Sequence, residues 1–178
     1  MRVVLPLLYT ALLGACSCQR APDAVAAAAG TGVHSPTPAD AVRSNEAAAE
    51  TARADQIQGQ RARRIGDAVD ALHSYLRKLG SGQHDAAAQH WAYQRSPSVD
   101  EEAGLRALGE LQSLRIQNGT PNPLDAEAVP NYLEIPVELQ AALETGQGYR
   151  YRGWYRLRYN PVTTHWEMTA ASLSPVIR

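Results

Sequence analysis

Cysteine is almost missing from this chain. Cys16 and Cys18 are the only two, so the chain beyond residue 18 holds no thiol at all. That excludes a disulfide or a cysteine metal site within any folded part downstream. Lysine is scarcer still, Lys78 standing alone among seventeen basic residues. With the abundance of alanine, this bias reads as GC-rich coding and not as chemistry. An excess of either charge is also lacking: seventeen basic residues meet eighteen acidic ones. General nucleic-acid binding, which needs a basic excess on one face, is not supported by that balance. Missing too are HExxH, CxxC, GxSxG and a phosphate-cradling glycine loop, which argues against metal hydrolases, triad hydrolases and nucleotide enzymes. No cofactor and no metal are expected.

What is present centres on residues 149–159. Tyr149, Tyr151, Tyr155, Leu157 and Tyr159 alternate with Arg150, Arg152, Trp154, Arg156 and Arg158. Successive strand side chains point to opposite faces, so the period of two predicts a strand with one apolar face and one arginine face. A guanidinium row with a tryptophan in it is suited to carboxylate or phosphate and to interface anchoring. Arg150, Arg152, Trp154, Arg156 and Arg158 are therefore the candidate binding residues, for an acidic protein or an anionic envelope component. The competing reading is a solvated face neutralised by Glu134, Glu138 and Glu167.

The N-terminus carries an address. Met1-Arg2 is a short positive region, and residues 3–13 form an apolar stretch too short to span a bilayer. Leu13-Gly14-Ala15-Cys16 resembles the lipobox of bacterial lipoproteins. The resemblance implies removal of residues 1–15, a diacylglycerol on the Cys16 thiol, and anchoring in a membrane through those chains. Ser17, in place of Asp, implies by the same resemblance the periplasmic face of a Gram-negative outer membrane. Residues 16–54, rich in alanine and proline with few large apolar side chains, read as a disordered tether. Its stretch 39–54 has transient helical character from alanine and glutamate.

Residues 55–178 read as one domain. Ile57, Ile65, Val69, Leu72, Tyr75, Leu76 and Leu79 share one face of a helix over 55–79, ended by Gly80-Ser81-Gly82. Arg61, Arg63 and Arg64 form a basic cluster, read as a solvated face. A shorter helix is expected over 84–93. Ser98 and Glu101 have capping-box spacing for a third, followed by Ala103, Leu105, Leu108 and Leu111. Strands follow at 111–117, 129–139, 149–159 and 165–173. Pro136 marks the second as an edge strand or a bulge. A loop at 161–164 would set Tyr159 opposite Trp166, Leu157 opposite Met168, Tyr155 opposite Ala170 and Arg158 opposite Glu167.

Helices followed by long antiparallel strands are an α+β pattern. The order of a long amphipathic helix, the run Leu79-Gly80-Ser81-Gly82 through His90-Trp91, short helices and an aromatic-rich hairpin resembles the cystatin-like cone of the nuclear-transport-factor-2-like superfamily. The resemblance implies N-terminal helices packed on a curved antiparallel sheet of about four strands, with Ile65, Val69, Leu72 and Leu76 over Tyr155, Leu157, Tyr159, Trp166 and Met168. That superfamily includes dehydratases, isomerases, transport factors and lipoproteins, so the fold alone does not give the function.

His73, His84, Asp85, His90 and His165 are the titratable candidates for a site inside such a cone. His84 and Asp85 lie at a helix start, where Asp usually caps. His90 lies beside Trp91, which reads as core, while His165 sits at a hairpin end. No convincing catalytic set emerges. The sequence therefore favours a lipid-anchored, non-catalytic binding or interaction module, such as an immunity-type inhibitor, and no enzyme. A dehydratase or isomerase is the alternative. With its active site in the cone, it requires an open pocket holding His90 or His165 with a carboxylate in reach, and a cone filled by aromatic side chains would sink it. A structural envelope protein, dimerising through its sheet, is a third reading.

Overall fold

A computed structural model describes residues 38–177. The expected signal segment, Cys16, Cys18 and the first part of the expected tether lie outside the described residues. Helix α1 runs from Pro38 to Gly80 and the short α2 from His84 to Ala88, with single 3-10 turns at Ala92–Gln94 and Leu105–Leu108. The strands are β1 (Ser113–Asn118), β2 (Asn122–Pro123), β3 (Tyr132–Ala142), β4 (Gly148–Asn160) and β5 (His165–Pro175). They form one antiparallel sheet in the order β1-β3-β4-β5, with β2 also on β3. This is the expected α+β architecture, a helix packed on a curved, open antiparallel sheet. Two-residue β2 brings the strand count to five.

The core lies between the second half of α1 and the apolar sheet face. Ala68, Leu72, Tyr75, Leu76 and Leu79 are buried against Leu133, Ile135, Tyr155, Leu157 and Met168. Each large apolar side chain so buried contributes about 1.5–3 kcal/mol. Ile65, Val69 and Tyr159 pack at the margin of this core. Ile57, expected on the buried face, is exposed. The helix begins at Pro38 and not near residue 55. Alanine and glutamate dominate its first half, whose described side chains are exposed through Gln60, so helix propensity and not packing forms it.

Two expected helices are shorter than their patterns imply. After α2 the chain leaves helical geometry, because Trp91 extends to bridge Met168 of β5 and Tyr93 takes a left-handed φ of 59°. The capping box forms: Ser98 N donates to Glu101 Oε2 at 2.8 Å, and Glu101 N to Ser98 Oγ at 3.2 Å. No long helix follows it, since Ala103 and Gly104 adopt φ values of 47° and 77°.

Pro136 lies in an inner strand and at neither an edge nor a bulge. β1 ends opposite Val137 and β2 begins opposite Glu134, so the residue without an N–H falls in the gap between them. Tyr159 faces Trp166, Leu157 faces Met168 and Arg158 faces Glu167, as expected. Tyr155, however, faces Ala171 and not Ala170. A bulge between Arg156 and Leu157 leaves Thr169 unpaired, and its backbone oxygen accepts from Arg95 Nη2 at 2.7 Å.

Gly153 sits where β4 and β5 approach closely. A Cβ there would lie 1.9 Å from Ser172 O. Gly153→Ala is expected to destabilise the fold by about 3 kcal/mol, the upper end of ordinary overpacking costs, as read by urea denaturation. Gly59→Ala, with open space around it, should instead stabilise by about 0.5–1 kcal/mol.

Candidate functional site

The arginine face points outward as predicted, and most of it is neutralised in place. Arg152 pairs with Glu138 at 2.8 Å, Arg156 with Glu134 at 2.9 Å and Arg158 with Glu167 at 3.0 Å. Each acid is the direct cross-strand neighbour of its arginine, so the register makes the pairs. Arg156 also stacks over Trp154, its guanidinium carbon 4.4 Å from the ring centre. Arg150 differs, because it faces Gln140. The Arg61–Arg64 cluster is not simply solvated. Arg64 lies 3.5 Å over the Tyr159 ring and donates to Asn131 Oδ1 at 2.9 Å, while Arg61 donates to Ala128 O at 3.2 Å.

Inside the cone, Tyr75, Trp91 and Tyr155 meet edge to face, Tyr75 lying 6.0 Å from Trp91 and 5.9 Å from Tyr155. These rings fill the interior, which counts against a site deep within it. Among them is Glu102, only 1% exposed. Its Oε1 accepts from Tyr75 Oη at 2.5 Å and Tyr155 Oη at 2.9 Å, while Arg106 Nε lies 3.8 Å from Oε2. Burial raises the Glu102 pKa, against the lowering effect of the two hydroxyls and Arg106. Burial, then the charge of Glu102, raises the pKa of both tyrosines. Sequence reasoning missed this residue because Glu101 and Glu102 are consecutive acids after a capping serine, and nothing local tells which turns inward. Glu101 turns outward to Arg95, whose two hydrogen bonds of 2.8 and 2.9 Å hold its pKa down to about 2.

An open cavity of about 720 Å³ lies at the hairpin end of β4 and β5. Lys78, His90, Tyr93, Arg158, His165 and Glu167 are among its lining residues. α1 supplies Lys78, and the chain after α2 supplies His90, whose carbonyl accepts from Met168 N of β5 at 2.8 Å. Lys78 Nζ lies 2.9 Å from His90 Nε2. Burial, and next the Lys78 charge, lower the His90 pKa from its ordinary 6.5. Glu167 accepts from Arg158 and from Asn160, so both its oxygens are held. The structure thus brings together His90, His165 and Arg158 from the sequence candidates, and adds Lys78. His73 lies elsewhere, with Nε2 3.1 Å from Asn118 Oδ1. His84 and Asp85 stay at the start of α2, and the His84 Nδ1 is buried without a partner. Among the described residues, no three His, Cys, Asp or Glu side chains converge as a metal site.

No family model matches the chain, and no curated protein does. It is similar to a solved crystal structure of Delta 5-3-ketosteroid isomerase from Mycobacterium sp., at 14% identity and a TM-score of 0.37, over 63% of this chain and 93% of that one. The expectation that the chain is no enzyme is corrected here. The protein on the other side of that comparison is an enzyme. In addition, His90 and His165, the two histidines the alternative reading named for a pocket, share an open one with a carboxylate. At that TM-score the likeness assigns no activity and no residue roles to this chain.

The buried acid has a thermodynamic signature. A carboxyl whose folded pKa is raised binds its proton more tightly folded than unfolded, so its contribution to stability is lost as pH rises from 4.5 through the folded value. Glu101, with its pKa lowered, contributes stability that is lost as pH falls from 4.5 toward about 2. Glu102→Gln should remove the first slope and keep the second in urea melts taken at a series of pH values. Glu102→Ala, leaving two buried hydroxyls without an acceptor, should cost about 1–3 kcal/mol for each.

Proposed function

We propose that this chain is an acid–base enzyme of the isomerase or dehydratase kind, working in the Lys78–His90–His165 pocket. We place it at the periplasmic face of the outer membrane, held by lipid on Cys16. The location rests on the resemblance of Leu13-Gly14-Ala15-Cys16 to a lipobox and on Ser17. The observation that carries the activity is the 2.9 Å contact of Lys78 Nζ with His90 Nε2 inside an open cavity that His165 also lines. A volume of about 720 Å³ is within the range that holds small molecules.

An ammonium has donors only, so Lys78 donates to Nε2 and the His90 ring carries its proton on Nδ1. With its pKa lowered, that ring is neutral near pH 7. Lys78 then offers one of its two remaining N–H groups to a substrate carbonyl oxygen as negative charge develops there, and His90 holds the ammonium in place. His165, exposed at the start of β5, takes a proton from the adjacent carbon. Return of the proton to another carbon is an isomerisation, and loss of a β-hydroxyl as water is a dehydration. Arg158, tied to Glu167 by one nitrogen, has further guanidinium N–H groups for a substrate carboxylate.

Incubation of the full chain with enolisable unsaturated and β-hydroxy carboxylic acids in deuterated water, followed by NMR, tests this. Deuterium should enter the substrate, and His165→Asn should slow its entry by about 10²–10⁴-fold. The rate should fall as pH drops through a value below 6.5, where His90 gains its proton. Lys78→Met should move that limb up toward 6.5, because one of the two causes lowering the pKa is gone. Equal exchange in the native and His165→Asn chains, or none in any compound, would sink the proposal.

A further inference from the structure

The geometry points to a second ligand site, a phosphate-binding notch on the outer sheet face formed by Arg115 of β1, Gln140 of β3 and Arg150 of β4. The site is distinct from the His90 pocket and does not depend on it.

Arg115 is the register partner of Gln140, and Gln140 is the register partner of Arg150. The three side chains therefore form one row across three adjacent strands. Strands lie about 4.8 Å apart, so the two arginine Cα atoms are about 10 Å apart with the amide between them. Both guanidinium groups are on long stems and both residues are exposed, so they can converge over Gln140 from either side. The neighbouring row contains Ser113, Ala142 and Gly148, also in register. Their small side chains leave a hollow of about 630 Å³ beside the arginines, walled at one end by Pro175 and Val176.

Charge sets this row apart from the others on the same face. The rows of Arg152, Arg156 and Arg158 each contain a carboxylate within 3.0 Å of the arginine. Here the residue between is a glutamine, and no aspartate or glutamate lines the hollow. Among the described residues, neither Arg115 nor Arg150 takes part in an ion pair. Two uncompensated guanidinium groups suit a dianion with three oxygens. A carboxylate would satisfy one fork and leave the other unused. The Gln140 amide adds an N–H donor between them.

Titration of the full chain with inorganic phosphate, glycerol 3-phosphate and acetate, followed through the arginine Nε–H signals, tests the site. Phosphate should shift the Arg115 and Arg150 signals saturably, and Arg150→Gln should weaken binding about tenfold or more. Arg63→Gln, which removes an exposed arginine of α1 away from the sheet face, should leave binding unchanged. Tighter binding of glycerol 3-phosphate would identify an esterified phosphate such as a lipid headgroup, and equal binding would identify the free ion; either supports the site. Acetate binding as strongly as phosphate, a double Arg115→Gln, Arg150→Gln chain that binds like the native one, or saturable shifts at other arginines alone would overturn it.

Discussion

One carboxyl oxygen joins three parts of this chain. Glu102 Oε1 accepts hydroxyl protons from Tyr75 of α1 and Tyr155 of β4, while its own residue belongs to the segment that links the helices to the sheet. Hydrophobic burial alone would let helix and sheet slide against each other, since it has no direction. Two hydrogen bonds converging on one buried atom do have direction. They fix the height of α1 over β4 and hold the linking segment down upon both. The aromatic rings that carry those hydroxyls also fill the interior. The closed interior and the placement of open cavities at the margins are thus two results of one arrangement.

The same linking segment finishes the edge of the sheet. β5 is an outer strand, and its free backbone groups are met by His90 O at Met168 N and by Glu101 O at Leu173 N, both near 2.9 Å. Arg95 reaches the carbonyl that the bulge at Thr169 leaves over. An edge covered in this way is poorly available for pairing with another chain. His90 owes its position to this docking, so the edge strand and the pocket residue are fixed together.

The alternation of tyrosine and arginine over residues 149–159 made the central strand, its two faces and most of the hairpin register legible in the sequence. Period-two patterns survive folding because a slip of one residue would bury every arginine. The pattern could not show the bulge, which depends on a carbonyl acceptor for Arg95, seventy-four residues away. The competing reading of the row, a face neutralised by Glu134, Glu138 and Glu167, was legible in the sequence, and those three acids do pair with Arg156, Arg152 and Arg158. His90 was visible as a titratable residue, but adjacency to Trp91 says nothing of which way a non-helical ring turns. Lys78 was noticed for its rarity alone, twelve residues from its partner. Glu102 left no trace, since a buried acid beside a capping acid has the same local pattern as an exposed one.

The described side chains of the first half of α1 are exposed, yet it is continuous with the packed half. An isolated helix of that length must nucleate itself, which is unfavourable. Here the packed turns supply the nucleus, and the rest needs only to propagate. The result is a rod in place of a string. Residues 38–54 alone extend about 25 Å along a helix axis. Residues 38–54 and the domain therefore turn as one body.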